Sequence, residues 1–267
     1  MRAVGGRRAA AFALAAMVMI LLSACQPVAA PISPLPVPEV PATPPPPPPA
    51  CSTEGDGDGV GCDVLIVGDG QSHSNIPMGF AIPNVVSTDL GYPLSSVGVG
   101  GSSWSTLLTT VHTRLGPVLS DDASSTAVLL MIGGSQDIVE GDTAATVYAD
   151  AVAYAAAARS LATGPLYIVA ATIPPVGPNV LSNNHFTEAE EAVRVAANAL
   201  MLADASGAFD AAVDIGIAPY DDPTDPTYFQ VDQTHLTELG AQGIAQGIVI
   251  PAVEAVLANA GRSASTA

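Results

Sequence analysis

The sequence predicts an α/β fold, with one parallel sheet of about five strands and helices on both faces. Three observations carry that expectation. Apolar runs of strand length alternate with Ala-rich segments of helical spacing. The first of these runs is continuously apolar, as in a buried parallel strand. That run, Val64, Leu65, Ile66 and Val67, leads into Gly68 and Gly70, glycines that let the chain turn sharply as it leaves a sheet.

In chain order, residues 1–24 join a basic start to an apolar run at 9–22, too short for a comfortable membrane span and suited to a signal peptide. The run closes on Leu22-Ser23-Ala24-Cys25, which resembles the lipobox of a bacterial lipoprotein and implies lipidation of Cys25. Residues 25–60 form a spacer: proline dominates up to the six prolines at 44–49, and an acidic, glycine-rich loop follows. Cys51 and Cys62 flank that loop in a chain sent to an oxidising compartment, and a disulfide between them is expected. Closing a loop of this size would contribute roughly 2–3 kcal/mol. Glu54, Asp56 and Asp58 faintly suggest a calcium loop, but the EF-hand ligand pattern is missing.

The folded domain is placed at 61–262, with 263–267 as a disordered tail. Strands are expected at 64–67, near 96–99, and at 128–132, 166–171 and 212–215. Helices are expected at 143–161, 187–205 and 237–260, with Thr237 as an N-cap and a kink at Pro251.

Charge narrows the function. The 267 residues carry 7 basic and 25 acidic side chains, for a net charge of −18, and no lysine. Three of the seven arginines lie in the leader, so the mature chain would carry 4 basic groups against 25 acidic ones. Such a surface repels nucleic acid, and no nucleic-acid partner is expected. Four scattered histidines and two disulfide-competent cysteines lack metal-ligand spacing, so neither metal nor cofactor is expected.

Two stretches carry chemistry. Ser72 follows Gly70-Gln71 at the carboxyl end of the first strand, where ligands sit in open α/β sheets. Near the end, Asp232-Gln233-Thr234-His235 precedes the last helix. An acid three residues before a histidine can fold back onto the imidazole, fix its tautomer and stabilise the imidazolium, the orienting role in a nucleophile–base–acid triad.

At this point residues 63–260 resemble the SGNH (GDSL-like) hydrolases. Gly70-Gln71-Ser72 is similar to that family's first block, Gly98-Val99-Gly100-Gly101-Ser102-Ser103 to its second, with Gly101 in the glycine position, and Asp232 with His235 to its fourth. The third block reads Gly134-Ser135-Gln136-Asp137, with Gln136 where the family has asparagine. Gly68-Asp69-Gly70 also aligns on G-D-S, but would put glycine in the serine position. The α/β-hydrolase elbow G-x-S-x-G is absent from the sequence.

The resemblance implies a flavodoxin-like SGNH-hydrolase fold and a serine ester hydrolase. In it Ser72 is the nucleophile, His235 the general base and Asp232 its orienting acid, while the Ser72 and Gly101 N–H groups and the Gln136 amide hold the oxyanion. The expected protein is a monomeric, extracytoplasmic lipoprotein or secreted enzyme, anchored to a membrane through Cys25. Its expected substrates are O-acylated carbohydrates or small lipid or polyester esters. A catalytically silent polysaccharide-binding domain and an O-acyltransferase with the same triad remain open. His73, His112, His185 and Trp104 are assigned no chemistry.

Overall fold

A computed structural model describes residues 64–70, 81–120, 126–178 and 185–265. Among the described residues are five parallel strands: β1 (Val64–Gly70), β2 (Leu94–Ser96), β3 (Thr126–Ile132), β4 (Leu166–Ala171) and β5 (Ala211–Val213), in the order β2-β1-β3-β4-β5. This is the flavodoxin-like order expected, with its topological switch point between the first and third strands.

Burial of the central strands on both faces explains their unbroken apolar runs. Leu129 and Met131 of β3, with Ile168 and Ala170 of β4, face one core. Val128, Leu130 and Ile132, with Val169 and Ala171, face the other. The pleat sends successive side chains to opposite faces, so a strand buried on both cannot alternate with polar residues. Truncating Leu129 or Leu130 to alanine would cost about 2–5 kcal/mol.

The first core is covered by α2 (Trp104–Arg114), α5 (Ala144–Leu161) and α6 (Glu188–Ala203), the second by α1 (Ile82–Leu90) and the C-terminal helices. Threonines start three helices by accepting an N–H of the first turn: Thr143 from Thr146, Thr187 from Glu190 and Thr237 from Gly240. At Thr187 the Glu190 carboxylate reaches back to the Thr187 N–H, completing a capping box. Two short helices, α3 (Gly116–Leu119) and α4 (Ser135–Val139), fill the turns on either side of β3.

The kink expected at Pro251 takes the form of a widened turn. Helix α7 (Glu238–Ile244) passes into a π segment, Ala245–Val249, before α8 (Ile250–Ser265). Proline has no N–H to give and its ring collides with the carbonyl four residues back; the wider turn makes room for both defects. The 238–260 run is long and apolar enough to cross a membrane. Its buried Val249, Val253 and Val256 pack against the sheet instead.

Several boundaries differ from the sequence reading, each for a physical reason. β1 runs on through Gly68, Asp69 and Gly70, which pair with Leu130, Met131 and Ile132. β2 ends at Ser96, and the Val97 carbonyl turns to accept from the Arg114 guanidinium. β5 ends at Val213 because the Ile215 N–H donates to Thr172 Oγ1 instead of the ladder. Helix α8 runs to Ser265, into the 263–267 stretch assigned as a tail; no proline interrupts its backbone hydrogen bonds after Pro251.

Candidate active site

Gly101, Gln136, Asp232 and His235 lie in segments that follow the carboxyl ends of strands, which in a parallel sheet all open on the same edge. Gly101 lies in the turn after β2, Gln136 on α4 directly after β3, and Asp232 and His235 in the long segment between β5 and α7. Ser72 is the second residue beyond the end of β1. Ser72, with His73 and Ser74, lies outside the described residues, as do Cys25, Cys51, Cys62 and the acidic residues Glu54, Asp56 and Asp58.

Asp232 and His235 are built into a tight turn. Asp232 Oδ1 accepts the N–H groups of Thr234 (3.1 Å) and His235 (3.0 Å), while Oδ2 lies 2.5 Å from His235 Nδ1. One carboxylate oxygen therefore shapes the backbone and the other holds the ring. Burial acts to raise the Asp232 pKa, but the hydrogen bonds from the imidazole and the two backbone N–H groups outweigh it and hold the carboxyl below its ordinary value. An ionised Asp232 can only accept, so when the ring is neutral its proton sits on Nδ1 and Nε2 presents a lone pair. Nε2 has no hydrogen-bond partner among the described residues. That is the state a general base needs.

The turn is fastened at its base. Phe229 and Leu236 form an antiparallel bridge, Gln230 N–H donates to His235 O (2.7 Å), and Gln230 Nε2 donates to Leu236 O (2.8 Å). Gln233, between the acid and the histidine, takes a left-handed backbone with φ of 57°. Non-glycine residues visit this region at a cost, and do so mostly where the surroundings enforce it.

The second and third blocks are tied together by Asp137, the last residue of the third block, to which the sequence alone assigns no role. Asp137 is fully buried, and both its oxygens accept the N–H of Trp104, the first residue of α2, at 2.9 and 3.1 Å. The Trp104 indole packs at a tilt against the Tyr154 ring, with centroids 5.4 Å apart, and fills the space beside Gly133 and Gly134: a Cβ on Gly133 would lie 2.8 Å from it. Glycine is required there because the indole occupies the side-chain volume. Trp104 thus has the packing role expected, and His112 is exposed on α2.

Burial pushes Asp137 up from 3.8 to about 7; the Trp104 N–H opposes this, and the neighbouring carboxylates Asp142 and Asp150 reinforce it. Carboxylate oxygens of Asp137, Asp142 and Asp150 lie within 4.8 Å of one another, a cluster that residue spacing did not reveal. Gln136 directs its amide to Glu140 Oε1 (3.2 Å), one turn along the same helix. Gly101 has φ of 72° and open space at its Cβ position, so glycine serves the turn's conformation there rather than its packing.

The fold is similar to that of solved structures of lipolytic G-D-S-L hydrolases. A member of the lipolytic G-D-S-L family from Veillonella parvula superposes with a TM-score of 0.50 at 15% identity, over 68% of this chain and 93% of that one. TesA superposes with a TM-score of 0.50 at 16% identity, over 72% of this chain and 98% of its own. No protein-family model and no curated protein matches the chain in sequence. At such identities the likeness establishes the fold.

Proposed function

We propose that the protein is an extracytoplasmic, lipid-anchored serine ester hydrolase that removes O-acyl groups from a carbohydrate or cleaves small lipid or polyester esters. The observation that carries this reading is the Asp232–His235 pair, held at 2.5 Å in the segment between β5 and α7, with no partner for Nε2 among the described residues. In the proposed reaction His235 Nε2 takes the Ser72 hydroxyl proton as Ser72 Oγ attacks the ester carbonyl. The Ser72 and Gly101 N–H groups and the Gln136 amide receive the developing oxyanion. Collapse expels the alcohol, which takes the proton from His235, and leaves an acyl-serine. Water, deprotonated by the same imidazole, then releases the acid and restores the serine.

Turnover of a short-chain p-nitrophenyl ester by the full chain tests the reading. A folded chain that neither turns it over nor reacts with a fluorophosphonate would instead be a silent polysaccharide-binding domain. The Gln136 amide's engagement with Glu140 favours that second reading. Acyl transfer to an added alcohol, measured beside hydrolysis, distinguishes an O-acyltransferase using the same triad.

Two expected results test the location. Wild-type protein expressed in a bacterial envelope should partition into the detergent phase and Cys25→Ala into the aqueous phase; equal partitioning would remove the anchor. A non-reduced digest of the exported protein should yield the Cys51 and Cys62 peptides joined, and finding both thiols free in that sample would end the proposed disulfide.

A further inference from the structure

We propose that Arg194 and Asn198 of α6 are positioning residues that set the geometry of both the base turn and the oxyanion loop by fixing the peptide groups of Ile173. The activity arm of this inference rests on the ester-hydrolase reading above. Asn198 grips Ile173 on both sides: its Oδ1 accepts the Ile173 N–H at 2.8 Å and its Nδ2 donates to the Ile173 carbonyl at 2.9 Å. The same carbonyl accepts from Arg194 Nη1 at 2.9 Å. Arg194 is oriented in turn by Glu191, which accepts from Nε at 2.8 Å and Nη2 at 2.6 Å. Both Arg194 and Asn198 are only 8% exposed. A guanidinium so deeply placed carries a desolvation cost, and an apolar side chain of similar volume would often fill such a site with no loss of stability.

Ile173 is the point from which two catalytic loops are braced. It follows β4 by two residues, where Thr172 N–H makes the last contact with β5, donating to Val213 O at 2.9 Å. Toward the third block, the Ile173 side chain lies 2.8 Å from the position a Cβ would take on Gly134, the residue that opens Gly134-Ser135-Gln136-Asp137. Toward the base, the chain continues through Pro174 and Pro175, whose rings fix φ, to Gly177. The Gly177 N–H donates to Gln233 O at 2.7 Å, between Asp232 and His235. A Cβ on Gly177 would lie 2.5 Å from Gln233, so only glycine allows this approach. Residues 172–177 are all buried. A stiff, buried strut thus joins α6 to the turn that aims the imidazole, and small displacements of a reacting group are costly: about 1 Å can cost on the order of 100-fold in rate.

The test uses the full chain and four variants: Asn198→Ala, Arg194→Met, Gly177→Ala, and Val253→Ala as a control that weakens the opposite core. Ester kcat and KM are measured, together with the downfield proton NMR signal of His235 Nδ1–H. The three strut variants should lower kcat by roughly 10- to 100-fold with KM within about twofold, and should shift or broaden the imidazole signal. Val253→Ala, at a comparable loss of thermal stability, should leave the kinetics and the signal as in wild type. Asn198→Asp and Arg194→Lys replace any strut variant that fails to fold, and are held to the same criteria. Strut variants that match Val253→Ala in kcat and in the His235 signal overturn the proposal. If wild type turns over no ester, the ester-hydrolase reading is what fails. The NMR comparison then still decides whether the strut sets the imidazole.

Discussion

Alanine at Ser72 or at His235 is expected to reduce ester turnover by about 10⁵- to 10⁶-fold, and the double variant by no more than either alone. A serine hydroxyl is a poor nucleophile at neutral pH until a base within hydrogen-bond reach takes its proton, so losing either partner removes the same step. Asp232→Asn should be the milder lesion. Asparagine keeps an oxygen for the Thr234 and His235 N–H groups, but turns an amide N–H toward Nδ1 and so favours the wrong ring tautomer. Gln136→Ala should be milder again, because its amide already has Glu140 as an acceptor. Among the neighbouring serines, the Ser103 hydroxyl is committed to capping α2 and its residue is fully buried. A fluorophosphonate should therefore label wild type and fail on Ser72→Ala. Undiminished labelling of that variant would falsify the assignment of the nucleophile and direct the search to Ser74 or Ser102.

What could be read from the sequence was whatever a single segment encodes. The unbroken apolar runs of β3 and β4 announced burial on both faces, and the Ala-rich helices announced their own starts through Thr143, Thr187 and Thr237. The acid and histidine of the base turn could be paired because three residues of chain suffice to fold one onto the other. Helices α1 and α2 are not legible in the sequence because their signals are short-range and mixed. α1 offers Pro83 in its first turn and Gly91 in a left-handed C-cap; α2 offers only the Ser103 cap before a threonine-rich face. Relations between distant segments were not legible at all. Asp137 reaches 33 residues back to Trp104, and Asn198 reaches 25 back to Ile173. Nothing local distinguishes either from a surface acid or a helix-face amide. Strand ends slipped for the same reason, since Thr172 and Arg114 draw the chain off the ladder from other elements.

Asp137 leads to the second large effect, a loss of stability as pH rises. With its pKa lifted from 3.8 to about 7, chiefly by burial, folded Asp137 keeps a proton that the unfolded chain has already released between those values. The unfolded state then binds fewer protons, so stability falls with increasing pH across that window, by on the order of 4 kcal/mol in full. Asp232 and Asp204 act in the opposite sense. Burial acts to raise both, but the hydrogen bonds they accept hold them below their ordinary values, so their contribution is lost only as pH falls into the acid range. Together these directions put the greatest stabilisation from these three carboxyls on the acid side of neutrality. Between pH 5 and pH 8 the urea midpoint of wild type should fall by the equivalent of about 3 kcal/mol. Asp137→Asn should remove most of that slope. Its amide oxygen still accepts the Trp104 N–H, and its NH₂ carries no charge to desolvate beside Asp142 and Asp150. Asp221→Asn, at an exposed position, relieves the same unit of net charge without touching a buried group and should keep the wild-type slope. Parallel slopes for wild type and Asp137→Asn would show that the general repulsion of an acidic chain, rather than this one carboxyl, sets the dependence.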